Sequence, residues 1–226
     1  LMYCLAAPNC PITQLDISNN PLGYTIPSAG DATLAAMDCR AALGNNMSLT
    51  QLNFSKTMFQ PTQLVSIFGG LAMNTYLKKI QLGDIVMDEP GCLQLSHAID
   101  VCRSLEVIDM PNSLMGPKGA KLILHQIGLA KRRIKYVDIS NGNIGLLGVI
   151  PLAKILAHHH CAIRVLKLQN NMLLDEGGEY IAKALSQNQT IVQLDISKNC
   201  LGRISGLAFG DLGRGIHKDG RKIAQC

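Results

Sequence analysis

The chain of 226 residues has no tryptophan, and aromatic residues make up only 4% of it. Proteins that hold single-stranded nucleic acid stack its bases on aromatic rings, so nucleic acid is not expected as a partner. No apolar run approaches the roughly 18 to 20 residues that cross a bilayer, and no membrane span is expected. The opening stretch from Leu1 to Ala7 is short, lacks a basic leader and runs into Pro8, which speaks against a signal peptide. There is no CxxC pair among the eight cysteines, which stand at 4, 10, 39, 92, 102, 161, 200 and 226. Most lie in apolar segments where a small hydrophobe would serve, so they are expected to be reduced core thiols of a cytoplasmic protein.

Catalytic constellations are lacking as well. His97 with Asp100, and His125 near Cys102, are isolated groups on amphipathic segments, and nothing orders them as base, nucleophile and orienter. The run His158-His159-His160-Cys161 cannot turn three consecutive helical residues toward one ion, since they are about 100° apart, and no second ligand cluster accompanies it. Gly210-Asp-Leu-Gly213-Arg-Gly215 has the glycines of a loop without the lysine and hydroxyl of a phosphate loop. No enzyme activity, cofactor or metal is expected.

What is present is a repeat. In Ile191-Val-Gln-Leu194-Asp-Ile196-Ser-Lys-Asn199-Cys-Leu201 the apolar residues fall at the first, fourth, sixth and eleventh places, with an asparagine at the ninth. The same frame fits Ile12, Leu15 and Ile17; Leu49, Leu52 and Phe54; Leu77, Ile80 and Leu82; Leu105, Ile108 and Met110; Ile134, Val137 and Ile139; and Ile163, Leu166 and Leu168. The spacing is 28 or 29 residues except for the first, 37, whose excess is placed as an insertion between Gly23 and Asp31. Each frame reads as a strand followed by a helix. Asp31 is a plausible N-cap. Pro61, Pro90 and Pro117 suit first helical turns, where a missing N–H costs nothing. A helix is expected around Val149 to His158, with Pro151 in its first turn, and another from about Glu176 to Leu185.

This period, with fragments such as Met115-Gly116-Pro-Lys-Gly119-Ala120 and Leu194 to Gly202, resembles the ribonuclease-inhibitor-like class of leucine-rich repeats. The resemblance implies an α/β solenoid of about seven repeats, curved, with a parallel inner sheet and outer helices. Strands stack about 4.8 Å apart and helices about 8 to 10 Å apart, so the stack bends with its strands inside. Residues 12–201 are read as the solenoid. Residues 1–11 are read as the end of a preceding repeat, and 202–226 as a degenerate last repeat, a cap or a basic extension. Neither end supplies a clear polar cap, so the chain is expected to be part of a larger protein or complex.

The ninth-position asparagine is kept as Asn20, Asn171 and Asn199 but replaced by Thr57, Ile85, Ser113 and Gly142. In the class that amide closes backbone groups where the strand turns outward. The middle repeats are therefore expected to leave these groups to water or to neighbours, with some irregularity.

Alternate strand residues point to the open face. The fifth places hold Asp16, Asn53, Gln81, Asp109, Asp138, Lys167 and Asp195, and the third places Gln14, Gln51, Lys79, Val107, Tyr136, Val165 and Gln193. One reading is a protein-binding surface with Val107, Tyr136 and Val165 as anchor and Asp109, Asp138, Lys167 and Asp195 supplying charge. The other is a solvated sheet face. The run Lys131-Arg132-Arg133 with Lys135 similarly reads either as a grip for an acidic partner or as cations suited to a helix C-terminus. Of the +5 net charge, Gly202 to Cys226 carries +3, five Lys or Arg against two Asp. The function expected is a non-catalytic scaffold or adaptor for a protein partner. The resemblance also admits a structural subunit of a cytoskeletal or ciliary assembly, or an activator of the small GTPase Ran.

Overall fold

A computed structural model describes residues 2–7, 9–23, 31–130 and 133–216. The elements run α1 Met2–Ala6, β1 Gln14–Asp16, α2 Asp31–Asn45, β2 Gln51–Asn53, α3 Pro61–Leu71, β3 Lys79–Gln81, α4 Glu89–Val101, β4 Val107–Asp109, α5 Gly116–Leu129, β5 Tyr136–Asp138, α6 Gly145–Ala157, β6 Val165–Lys167, α7 Leu174–Leu185, β7 Gln193–Asp195 and α8 Arg203–Ile216. The strands form one parallel sheet in sequence order, β1 to β7. The register never slips: the fourth-place residues Leu15, Leu52, Ile80, Ile108, Val137, Leu166 and Leu194 are successive partners. Each helix packs on the next, from α1 on α2 to α7 on α8. The fold is an α/β repeat solenoid with an open sheet.

The sheet is held in place by its middle residues. Leu52, Ile80, Ile108, Val137, Leu166 and Leu194 are buried against helix residues such as Leu64, Leu95, Ile123, Leu152 and Ile181 in one continuous core. Full burial of such a side chain contributes about 1.5 to 3 kcal/mol. Strands of three residues have little hydrogen bonding of their own, so this ladder of aliphatic side chains sets the register. Gly119 lets α5 approach α4: a Cβ there would lie 2.5 Å from the Cys92 sulfur.

Several helices differ from expectation. Pro61 stands first in α3, and Pro90 and Pro117 second in α4 and α5, as the sequence predicts. Helix α6, however, begins at Gly145, so Pro151 lies in its second turn. The Leu147 carbonyl that Pro151 leaves without a helical donor belongs to an exposed residue, which keeps the cost low. Helix α7 starts at Leu174 rather than Glu176. The glycines of the 210–215 stretch lie inside α8 instead of a loop. Packing on α7 outweighs their poor helix propensity.

Polar bonds between repeats complete the stack. Asn171 donates to Ile139 O at 2.9 Å in the preceding repeat and to Leu168 O at 3.0 Å in its own, and its Oδ1 accepts from Gly142 N at 2.9 Å. Asn199 donates to Leu168 O and to Ile196 O, both at 2.8 Å. The repeat that lacks its asparagine at Gly142 is thus served by Asn171 of the next one. At Ile85 the same happens, because Ser113 of the next repeat donates to Leu82 O. Thr57 closes its own Phe54 O at 2.6 Å. Repeats three and five are closed by a neighbour, and repeat two by its own threonine.

A second polar row closes the other end of the strands. Asn74 donates to Leu43 O at 3.1 Å and Asn46 O at 2.9 Å, and accepts from Tyr76 N and Leu77 N. Asn46 and Asn188 do the same work. In the equivalent place Cys102 donates its thiol to Leu77 O at 3.0 Å. Where the chain leaves each strand, Asn19, Lys56, Asp84, Asn112, Asn141, Asn170 and Lys198 all have φ between 53° and 58°. Asn and Asp tolerate this left-handed conformation better than other residues with a Cβ. On the open side they link as a chain, Asn170 to Asn141, Asn141 to Asn112 and Asn112 to Asp84.

Helix α8 is capped by the repeat before it. Asp175 Oδ1 accepts from Gly202 N at 2.8 Å, Ser205 N at 3.0 Å and the Ser205 hydroxyl at 2.7 Å. The backbone bond from Ser205 is the main reason that the Asp175 carboxyl lies below its ordinary value of 3.8. A depressed carboxyl stabilises the fold above its unfolded value, and the contribution disappears as pH falls through the folded value.

Two expectations follow for stability. Asn171→Ala, which strands donors and acceptors in two repeats, lowers unfolding free energy by about 3 kcal/mol, against about 1 kcal/mol for Ser113→Ala, by urea denaturation. Amide hydrogen exchange shows α8 losing protection as pH drops below about 4, ahead of α5 and α6, and Asp175→Ala removes that pH dependence.

Candidate protein-binding face

The open face is built by the third and fifth strand residues. Their neighbours at the fourth place are locked inward, so these side chains must point away from the helices. The parallel register puts Val107, Tyr136 and Val165 side by side, and beside them Asp109, Asp138, Lys167 and Asp195. All seven expected residues therefore share one surface. Asp138 is buried and the other six are half-buried.

The centre is a compact polar and aromatic cluster. Asp138 accepts from Ser140 N at 3.0 Å through Oδ1. Through Oδ2 it lies 3.4 Å from the Lys167 ammonium and 3.5 Å from the Tyr136 hydroxyl. Lys167 also lies over the Tyr136 ring, 5.4 Å from its centroid, within the range of a cation–π attraction. The Tyr136 hydroxyl, with Asp138 adding to it, holds the lysine in its charged form above the ordinary range. Burial, with the carboxylates of Asp109 and Asp138 adding to it, pushes the Tyr136 phenol upward. Asp109 is also pushed upward, first by burial and then by the Asp138 carboxylate; the Gln81 amide, 3.1 Å from its Oδ2, works the other way. The face thus presents rigid, mutually fixed groups around an aliphatic and aromatic row, with no nucleophile and base paired on it.

Lys131 and Arg132 lie outside the described residues, as do 217–226 of the basic tail. Arg133 donates to Ala130 O and Cys102 O, both at 2.8 Å, and Lys135 pairs with Glu106 at 2.8 Å. Helix-end capping and an ion pair account for both. His158 and His159 stack in the turn after α6, His160 lies tilted against them, and His158 Nδ1 accepts from His160 N. No group of three or more metal-ligating side chains occurs among the described residues. His97, Asp100 and His125 are exposed. Cys10, Cys39, Cys92, Cys102 and Cys161 are buried, and burial pushes the thiols of Cys39 and Cys92 to about 11 and about 12. Cys4 and Cys200 are exposed, contrary to the expectation of core thiols, because each lies at a helix or loop surface of a terminal repeat. No helix among the described residues is long and apolar enough to cross a membrane.

Comparison with known proteins agrees with this geometry. The family model described as "Leucine Rich repeat" matches residues 187–210. The pig ribonuclease inhibitor is 22% identical over 211 residues, covering 79% of this chain and 46% of that protein. The fold and these likenesses together support a ribonuclease-inhibitor-like leucine-rich repeat chain. Another relative of this leucine-rich repeat protein, the human NACHT, LRR and PYD domains-containing protein 13, is 23% identical over 210 residues, 84% of this chain. The chain spans only 20% of that relative's length. Among solved structures, the tropomodulin C-terminal domain of Caenorhabditis elegans matches with a TM-score of 0.51 at 13% identity, over 81% of this chain and 94% of that one. At that identity the likeness concerns the fold alone.

Proposed function

We propose that this leucine-rich repeat protein is a non-catalytic adaptor that binds another protein on the open face of its sheet. The observation that supports the reading is the row Val107, Tyr136 and Val165, half-buried on adjacent strands with no element of the described chain lying over it. Aliphatic and aromatic side chains in a row about 10 Å across are more than a solvated sheet needs. The surrounding charges are already oriented by one another, so docking on them orders few side chains. In this reading residues 12–201 are the binding solenoid. Residues 1–11 are the end of a preceding repeat, and 202–226 a degenerate last repeat, a cap or a basic extension.

Cross-linking mass spectrometry of the native protein in its own cell extract tests the proposal, with Tyr136→Ala and Val165→Glu as variants. The expected result is one partner linked along β3 to β7 and lost in both variants, whose thermal unfolding stays within about 1 kcal/mol of the parent, as for surface changes. Links confined to the helices and the two ends, surviving both substitutions, would replace the adaptor reading with that of a structural subunit, cytoskeletal or ciliary. A small GTPase as the linked partner, with faster GTP hydrolysis in its presence, would make the protein an activator instead.

A further inference from the structure

Four of the seven fifth-place side chains of the open face share a device, and Asp109 is the one fifth-place aspartate without it. In four repeats the side-chain oxygen accepts from the backbone N–H two residues further on: Ser18 N to Asp16 at 2.9 Å, and Ser55 N to Asn53, Ser140 N to Asp138 and Ser197 N to Asp195 at 3.0 Å each. This bond fixes the side chain and uses up an acceptor. In the fourth repeat the residue two places after Asp109 is Pro111, which has no N–H to give. Among the described residues Asp109 keeps only the Gln81 amide as a hydrogen-bond donor, at 3.1 Å. Its neighbour Asp138 has the nearer cation, Lys167, and among the described residues Asp109 forms no ion pair. An acceptor has been left open on a carboxylate that shares the middle of the face with Val107 and Tyr136.

Resting on the open-face reading, we propose that Asp109 receives a basic side chain, an arginine or a lysine, from a protein segment whose apolar residues lie on Val107, Tyr136 and Val165. The charge balance on the face supports this. Asp16, Asp109, Asp138 and Asp195 stand at its fifth and third places against Lys79 and Lys167, and one of those lysines is spent on Asp138. Burial and the Asp138 carboxylate both disfavour the Asp109 anion in the free protein, and an incoming cation offsets both. A phosphate backbone would meet the same carboxylates as repulsion, which turns the face away from nucleic acid.

The test uses the whole chain and a random peptide display library as probe. Selection on the parent protein yields peptides in which arginine or lysine neighbours an aliphatic or aromatic residue. Selection on Asp109→Asn keeps the apolar residues and loses the basic preference, and selection on Tyr136→Ala loses both. A peptide recovered on the parent binds Asp109→Asn about tenfold more weakly, the loss of one charge-assisted hydrogen bond. Pro111→Ser, which installs the residue found in the four repeats with the bond, returns the Asp109 carboxyl toward the ordinary range by carbon-detected NMR titration and weakens the same peptide.

Apolar peptides that depend on Tyr136 but show no basic preference would overturn this assignment and leave the open-face reading standing. Peptides indifferent to Tyr136 would overturn both. Acidic peptides, or a basic preference undiminished in Asp109→Asn, would place the charge recognition elsewhere.

Discussion

A strand of three residues cannot satisfy its own ends, and that constraint shapes the whole molecule. Each repeat reaches the end of its strand with backbone groups that must be paired, and the pairing comes largely from the next repeat. Asn171 serves Gly142 and Ile139, Ser113 serves Leu82, and Asn74 serves Leu43 and Asn46. Stability is therefore shared between neighbours, as in other one-dimensional stacks. The asparagine can be absent from repeats three and five because the obligation passes across the interface, and from repeat two because Thr57 meets it locally. Asp175, reaching forward to cap α8, is the same principle at the last described step.

Fixing the strand ends also fixes the open face. With the aliphatic ladder locked inward and both ends tied, third- and fifth-place side chains have one direction left, and the parallel register sets them in two straight rows. Chemistry on those rows can change without cost to the core. The row holds amides at one end and a Tyr136–Asp138–Lys167 cluster near the other. Pro111 shows how small the change can be: removing one N–H alters what Asp109 has to offer while the strand pairing on either side stays intact.

Much of this was legible in the residues. The apolar frame located every strand and put the seven open-face residues together, since a period of two within a fixed repeat leaves no other face. Boundaries were harder. Helix α6 begins before its proline because Gly145, at φ 52°, turns the chain into the helix several residues earlier than Pro151 suggests. The glycines at 210–215 read as a loop by propensity, yet a tertiary surface on α7 holds them as helix. The asparagine gaps looked like weak points because the frame treats each repeat alone, and the bonds that fill them join residues about 30 apart. Two signals were present but silent. The left-handed eighth place is written as Asn, Asp or Lys in every repeat, and Asp-x-Ser recurs where the fourth repeat has Asp109-Met-Pro111. Their meaning depends on which N–H faces which oxygen, and only the fold shows that.

The most direct test of a partner on the open face is hydroxyl-radical footprinting of the native protein, comparing the purified chain with the same chain in its own cell extract. Tyr136 is half-buried in the free molecule, whereas Tyr180 and Leu147 lie exposed on the helices. The account predicts that extract protects Tyr136 and leaves Tyr180 and Leu147 labelled as in buffer. Unchanged labelling of Tyr136 together with protection of the helix residues would contradict it.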